Sequence, residues 1–259
     1  MRPSSTSEVR SNVARAVEDL GIPFPVAMDN SFTTWEDYSC RFWPAWYLVD
    51  AAGFQCDYFF GEGGYADTET GIQTLLREDN PRIVLPKVFD PPRPEPNRSR
   101  PCRPVTPEIF LGYRRGRIGN PEGFDPGRVV RYPPPAALVK DVFYAEGDFL
   151  NDRDCLVHIG TDPGRIHVSY EACEVNIVAE PDPATGISEF GVEIDGRAPQ
   201  ESIVGESVRS GPEGAILRID HPRLFQVVRE EASDRHRLML TTRSSGVKLY
   251  CITFVGIGY

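Results

Sequence analysis

Six cysteines, at positions 40, 56, 102, 155, 173 and 251, and four histidines, at 158, 167, 221 and 236, are the side chains best suited to chemistry in this 259-residue chain. A thiolate attacks disulfides and binds soft metals, so spacing decides what six thiols can do. No two of them stand in a CxxC pair. In that pair a helix N-terminus stabilises the attacking thiolate and the second thiol resolves the mixed disulfide. No cysteine–histidine group has the close spacing of a zinc site, so neither a metal nor a cofactor is expected. No Ser–His–Asp order or paired-carboxylate motif stands out either. A chain of this length buries a core without disulfide staples, and reduced, buried thiols are the expected state.

Cys40 is the one thiol weighed for reactivity, and the preferred reading of it is a plain half-buried thiol, a bystander to the chemistry. It stands in "SCRFWPAWYLVD", residues 39–50, beside Arg41 and four residues before Pro44. A neighbouring guanidinium lowers a thiol's pKa. Its nearest partner in this half is Cys56. Counting outward from the turn places Cys56 opposite Leu48 or Val49, so Cys40 lies about eight residues back, roughly 25 Å along an extended strand. A disulfide needs Cα atoms within about 7 Å, which excludes a Cys40–Cys56 bridge. "GEGGY", residues 61–65, lacks the lysine and spacing of a phosphate loop and reads as a strand-to-helix turn.

The elements that position these residues follow from periodicity. "SEVRSNVARAVEDL" sets Val9, Val13, Ala16, Val17 and Leu20 on one helical face, with Ser5 and Glu8 at capping-box spacing and Gly21 as the stop. "SFTTWEDYSC" holds one or two helical turns. "AWYLVD" and "FQCDYFF" form a hairpin closed at Gly53. "ADTETGIQTLLRED" is a helix capped by Asp67, with Ile72, Leu75 and Leu76 inward. Residues 81–104, rich in proline and arginine, form a semi-rigid linker with polyproline character. Beyond 105 short runs alternate or are apolar: "RIHVSYEA", "EVNIVAE", "EFGVEIDG", "AILRID", "RLFQVVRE", "RLMLTT" and "KLYCITFV". They predict an antiparallel β-sandwich, jelly-roll-like, with Asp195–Gly196 as a hairpin turn. In it His167 points away from the core, Cys173 points inward, and the strand of Cys251 is apolar on both faces and therefore central. Tyr170 and Phe225, the aromatics that could touch a ligand, are assigned to the core by strand phase.

The net charge of −10 argues against general phosphate-backbone binding, so no nucleic-acid partner is expected. No apolar run reaches the roughly 18 residues of a membrane helix, and "MRPSSTSEVR" has no apolar stretch of a signal peptide. As written, the chain reads as soluble and cytoplasmic.

"NVARAVEDLGIPFPVAMDN", "RFWPAWYLVDAAG" and "FGEGGYADTE" resemble the second half of a redoxin domain, the thioredoxin-fold type of TlpA-like and DipZ-like proteins. "TPEIFLGYRRG" and "HPRLFQVVRE" are similar to the β-rich domain that follows it there. The resemblance implies three regions: a partial thioredoxin-like α/β domain at 1–80, the linker at 81–104 and the β-sandwich at 105–259. It implies that Pro44 is the cis-proline of the fold, with Trp43, Pro44 and Ala45 lining the substrate groove. A cis X–Pro bond costs only about 0.5–1 kcal/mol over trans, so proline suits the position. The early strands and the CxxC helix of the family are absent from the sequence, so the expectation is a truncated domain, inactive alone in dithiol exchange, with an open hairpin edge prone to self-association. The implied partner is a thiol or disulfide protein, and the implied compartment, if the chain follows its DipZ-like relatives, is extracytoplasmic. A reading of another class is a non-catalytic binding or scaffold protein whose sandwich recognises a glycan or a protein.

Overall fold

The computed structural model describes residues 9–61, 63–88, 105–212 and 214–256. The expected capping box at Ser5 and Glu8, Glu62, Cys102 and most of the proline-rich linker lie outside them. Contacts divide the described residues into two units, one running from 25 to 88 and the other joining 9–24 to 105–256. Helix α1 (Arg10–Asp19) therefore groups with the β-rich residues. It ends as expected at Gly21, whose φ of 58° is left-handed.

The first unit runs α2 (Thr33–Asp37), β1 (Ala45–Val49), β2 (Gln55–Phe60) and α3 (Tyr65–Asp79). The Asp29 carboxylate accepts from the amides of Thr34 at 3.1 Å and Trp35 at 2.8 Å, which starts α2. β1 and β2 pair antiparallel, Ala45 with Phe60 and Tyr47 with Tyr58. Asp50 Oδ1 closes the turn by accepting from Ala52 and Phe54, and Gly53 takes φ 89°. Leu48 pairs with Asp57 and Val49 with Gln55, so Cys56 sits in a bulge without a counterpart.

Helix α3 differs from the sequence reading at its start and on its inner face. Its N-cap is Gly64 rather than Asp67, because the chain turns through positive φ at Gly61, Gly63 and Gly64. Asp67 sits in the first turn, where its charge favours the helix dipole. Ile72 and Leu76 are exposed, and Gln73 is buried instead. Its Nε2 donates to Glu69 at 2.8 Å and to the Pro86 carbonyl at 3.0 Å, so this face serves the segment after the helix. Gly71 costs about 1 kcal/mol of helix propensity. A Cβ there would stand 3.0 Å from Leu48 Cδ2, so the glycine allows close packing on the hairpin.

The second unit is antiparallel β throughout its named strands. They are β3 (Ile109–Phe110), β4 (Val129–Tyr132), β5 (Phe143–Asn151), β6 (Leu156–His158), β7 (Gly164–Glu180), β8 (Ser188–Ile194), β9 (Val208–Gly211), β10 (Gly214–Ile219), β11 (Arg223–Thr242) and β12 (Lys248–Val255). Two pairs of expected strands fuse. "RIHVSYEA" and "EVNIVAE" are one strand, β7, and "RLFQVVRE" and "RLMLTT" are one strand, β11, because bulges rather than turns absorb their breaks in alternation.

The pairing forms one continuous sheet where the sequence suggested the two sheets of a sandwich. One edge of β7 is shared: β5 takes its first half and β12 its second, and β6 bridges these two. The circuit β12–β6–β5–β7 thus closes on itself. The other edge of β7 carries β11, followed by β8, β10 and β9. Tyr170, Phe143, Phe149, Phe190 and Phe225 fill the core, and burying each large apolar side chain contributes about 1.5–3 kcal/mol. Tyr170 and Phe225 are thus core residues, as strand phase suggested.

Candidate functional site

The loop between α2 and β1 carries the residues singled out in the sequence. Cys40 is buried, and its thiol donates to the Phe42 carbonyl at 3.3 Å. Trp43 is half exposed and packs edge-on against Trp35, ring centroids 5.2 Å apart. The Trp43–Pro44 peptide bond is cis. The Pro44 carbonyl accepts from Gly61 at 2.8 Å, which anchors the start of β1 beside the end of β2, and Ala45 opens the ladder opposite Phe60. Phe42, Tyr38, Tyr47, Tyr58 and Phe60 make a connected aromatic cluster, with centroids from 4.8 to 6.1 Å apart. Such contacts are worth about 0.5–1.5 kcal/mol each beyond area burial. Tyr47 donates to the Tyr38 carbonyl, and desolvation followed by the adjacent Cys40 thiol raises its phenol pKa. Cys40, Trp43 and Pro44 thus share one loop, Ala45 opens the strand that follows, and the aromatic cluster lies on the same hairpin and its flanks.

The remaining thiols of the described residues are free and separate. Cys56 is exposed in the hairpin bulge. Cys155 is pushed up to about 12, first by burial and then by Asp152, which lies 3.7 Å from its sulfur. Cys251 is also pushed up to about 12, by burial and by Glu108. Burial raises Cys173, whose thiol donates to the Val255 carbonyl. Raised pKa values leave Cys155 and Cys251 protonated near neutrality and therefore poor nucleophiles.

The β-rich unit holds polar sites of its own. A cleft of about 500 Å³ is lined by Asn12 of α1 and by Asp152, Asp154, Cys155, Glu180, Lys248 and Tyr250. Lys248 Nζ and Tyr250 Oη both donate to the Glu180 carboxylate, at 2.9 and 2.7 Å. Carboxylates, an ammonium and an aromatic ring in one cleft can bind a hydroxyl-rich or peptidic ligand. Elsewhere Glu146 pairs with both Arg165 and His167, and burial lowers the His167 pKa despite that partner. Among the described residues no group of three metal-ligating side chains forms, and no helix is long and apolar enough to cross a membrane.

Residues 106–255 match the family described as thioredoxin-like C-terminal domain. The chain belongs to this family. It is 36% identical over 175 residues to protein DipZ of Mycobacterium bovis, and equally to protein DipZ of Mycobacterium tuberculosis. The match covers 66% of this chain and 24% of each relative, so the chain spans about a quarter of the length of these curated relatives. The family match coincides with the β-rich unit and takes in β3 through β12.

Sequence reasoning missed the cleft. Lys248 and Tyr250 do share a strand phase, but Glu180 ends β7, and only the β7–β12 pairing brings the three together. It also did not anticipate that His236 meets Asp195 at 2.7 Å across 41 residues of sequence. His167 does leave the apolar face, as its alternation with Ile166 and Val168 required.

Proposed function

We propose that the chain works in a thiol–disulfide protein of the redoxin family without supplying the dithiol. Membership of the thioredoxin-like C-terminal domain family, together with the likeness to DipZ, carries this reading. Trp43, Pro44 and Ala45 form one wall of a groove for an extended thiol or disulfide protein substrate, and the aromatic cluster from Tyr38 to Phe60 backs it. Disulfide exchange needs a low-pKa attacking thiol and a resolving thiol. The sequence holds no CxxC, and the buried thiols of the β-rich unit are held protonated. The chain alone is therefore inactive as a dithiol reductase, and Cys40 is a bystander to the groove rather than its nucleophile. The hairpin, whose strands pair only with each other among the described residues, leaves edges open to association. Reduction of insulin disulfides by the purified chain tests the reading.

A second reading, favoured by the cleft at Glu180, is that the β-rich unit binds a glycan or a protein partner. Asp152, Asp154 and Glu180 would accept from hydroxyl or amide donors, and Lys248 would donate. A glycan array and a pull-down with the full chain, beside a Lys248→Ala variant, test it. Binding lost in the variant supports the reading, and blank results in both assays remove it.

A further inference from the structure

A bulge in β11 buries groups that neither proposed function uses. Arg229 pairs with Glu174 and Asp234 with Ala172, so residues 230–233 face Cys173 alone. Extra residues in a strand re-aim its side chains. Here they turn Glu230 and Ser233 inward, leaving the Glu230 side chain 10% exposed. Glu230 Oε1, Ser233 Oγ and, from β7, Tyr170 Oη are buried with no hydrogen-bond partner among the described residues. A bulge that hides three unsatisfied polar atoms is poised to open, because water would satisfy all of them.

His236 ties this bulge to the turn that follows β8. Its Nδ1 lies 2.7 Å from Asp195 Oδ2 and its Nε2 lies 3.3 Å from Glu230 Oε2. Asp195 is fixed in place, because its Oδ1 accepts from the Arg237 amide at 2.9 Å and its φ of 53° sets the turn with Gly196. A neutral imidazole has one N–H, so it donates to one carboxylate and turns a lone pair toward the other. Two ionised carboxylates in contact with both ring nitrogens therefore require one further proton, on the ring or on Glu230.

The geometry points to a latch: one proton shared between His236 and Glu230 holds the β11 bulge closed, and its loss releases residues 230–233. An anionic Glu230 beside a neutral ring would be desolvated with no cationic partner on its Oε2, and the Tyr170 ring stands 6.0 Å from His236. The charged and titratable groups that act on the pair are Asp234 on β11, Asp195 on the turn, and Tyr170 and Cys173 on β7, while Arg237 acts on Asp195.

The direction of the response follows from the same contacts. Burial lowers the His236 pKa, but the bond to Asp195 and the charge of Glu230 outweigh it, and the net shift is upward from 6.5. Burial first, helped by the charges of Asp234 and Asp195, raises the Glu230 pKa despite the contacts with His236 that lower it. Both raised groups stabilise the fold below their ordinary values, and that stabilisation is lost as pH climbs through the raised ones. Asp195 runs the other way. Burial raises it, but the bonds from His236 and Arg237 outweigh that, so its contribution disappears only as pH falls through a depressed value. The latch is shut between those limits and opens on the alkaline side.

Hydrogen–deuterium exchange of the full chain at about pH 6 and about pH 9, corrected for intrinsic exchange rates, tests this. Protection over residues 228–237 should fall by about tenfold or more at the higher pH, with β12 unchanged, as expected for local opening. Glu230→Gln presents an amide donor to a neutral ring and needs no extra proton, so its protection should stay high at both pH values. Equal wild-type protection at both, the same loss in Glu230→Gln, or a parallel loss in β12 would each overturn the latch.

Discussion

Cys40 Sγ lies 3.3 Å from the Phe42 carbonyl oxygen, so the thiol nearest Pro44 donates its proton within its own loop. Cys56, sixteen residues later in sequence, is exposed in the hairpin bulge instead. Proximity in sequence to Pro44 and chemical availability thus fall on different cysteines.

Brief alkylation of the folded chain with iodoacetamide should reflect this. Among Cys40, Cys56, Cys155, Cys173 and Cys251, peptide mass spectrometry should find Cys56 labelled first. Cys155 and Cys251, both pushed up to about 12, should lag by about tenfold or more. Labelling of Cys155 as fast as Cys56 would contradict the burial that holds it protonated.

Gly112 is a close-approach site in the family domain. A Cβ there would stand 2.2 Å from the Asp154 carbonyl carbon and 2.5 Å from the Cys155 nitrogen, and these backbone atoms are not the far end of a flexible side chain. Its neighbours are tied across the same gap, Tyr113 to Asp152 and Arg114 to Arg153 by backbone bonds. Gly112→Ala should cost about 1–3 kcal/mol in denaturant unfolding, the usual scale of overpacking. An unchanged midpoint would show that the loop relaxes freely.

Much of this was legible from local pattern, and the rest needed pairing. The hairpin, its Gly53 turn, the central place of the Cys251 strand and the core positions of Tyr170 and Phe225 all follow from alternation and turn chemistry, which are local. The single long strands β7 and β11 were read as four short ones, because a bulge and a turn break alternation in the same way. The Asp195–His236–Glu230 contacts depend on that β11 bulge and on the β8–β11 pairing, and no spacing in the sequence encodes them. Gln73 was missed because a buried amide is set by its acceptor, here the Pro86 carbonyl, rather than by helical phase.

His167 should give a pH dependence opposite in sign to that of His236. Burial outweighs the Glu146 bond and lowers its pKa, so the folded state holds it neutral while the unfolded chain protonates near 6.5. Its contribution is present above 6.5 and declines as pH falls below that. His167→Gln, which can still donate to Glu146, should show a smaller fall in Tm between about pH 7.5 and about pH 5.5 than the parent chain. An equal or larger fall in the variant would show that His167 is not held neutral.

The proposal that the chain supplies a groove and no dithiol is tested most directly by insulin reduction in dithiothreitol, followed by turbidity. The expected trace coincides with the dithiothreitol blank at every protein concentration. Acceleration that scales with the chain and disappears in Cys40→Ser would contradict the account and make Cys40 the working thiol.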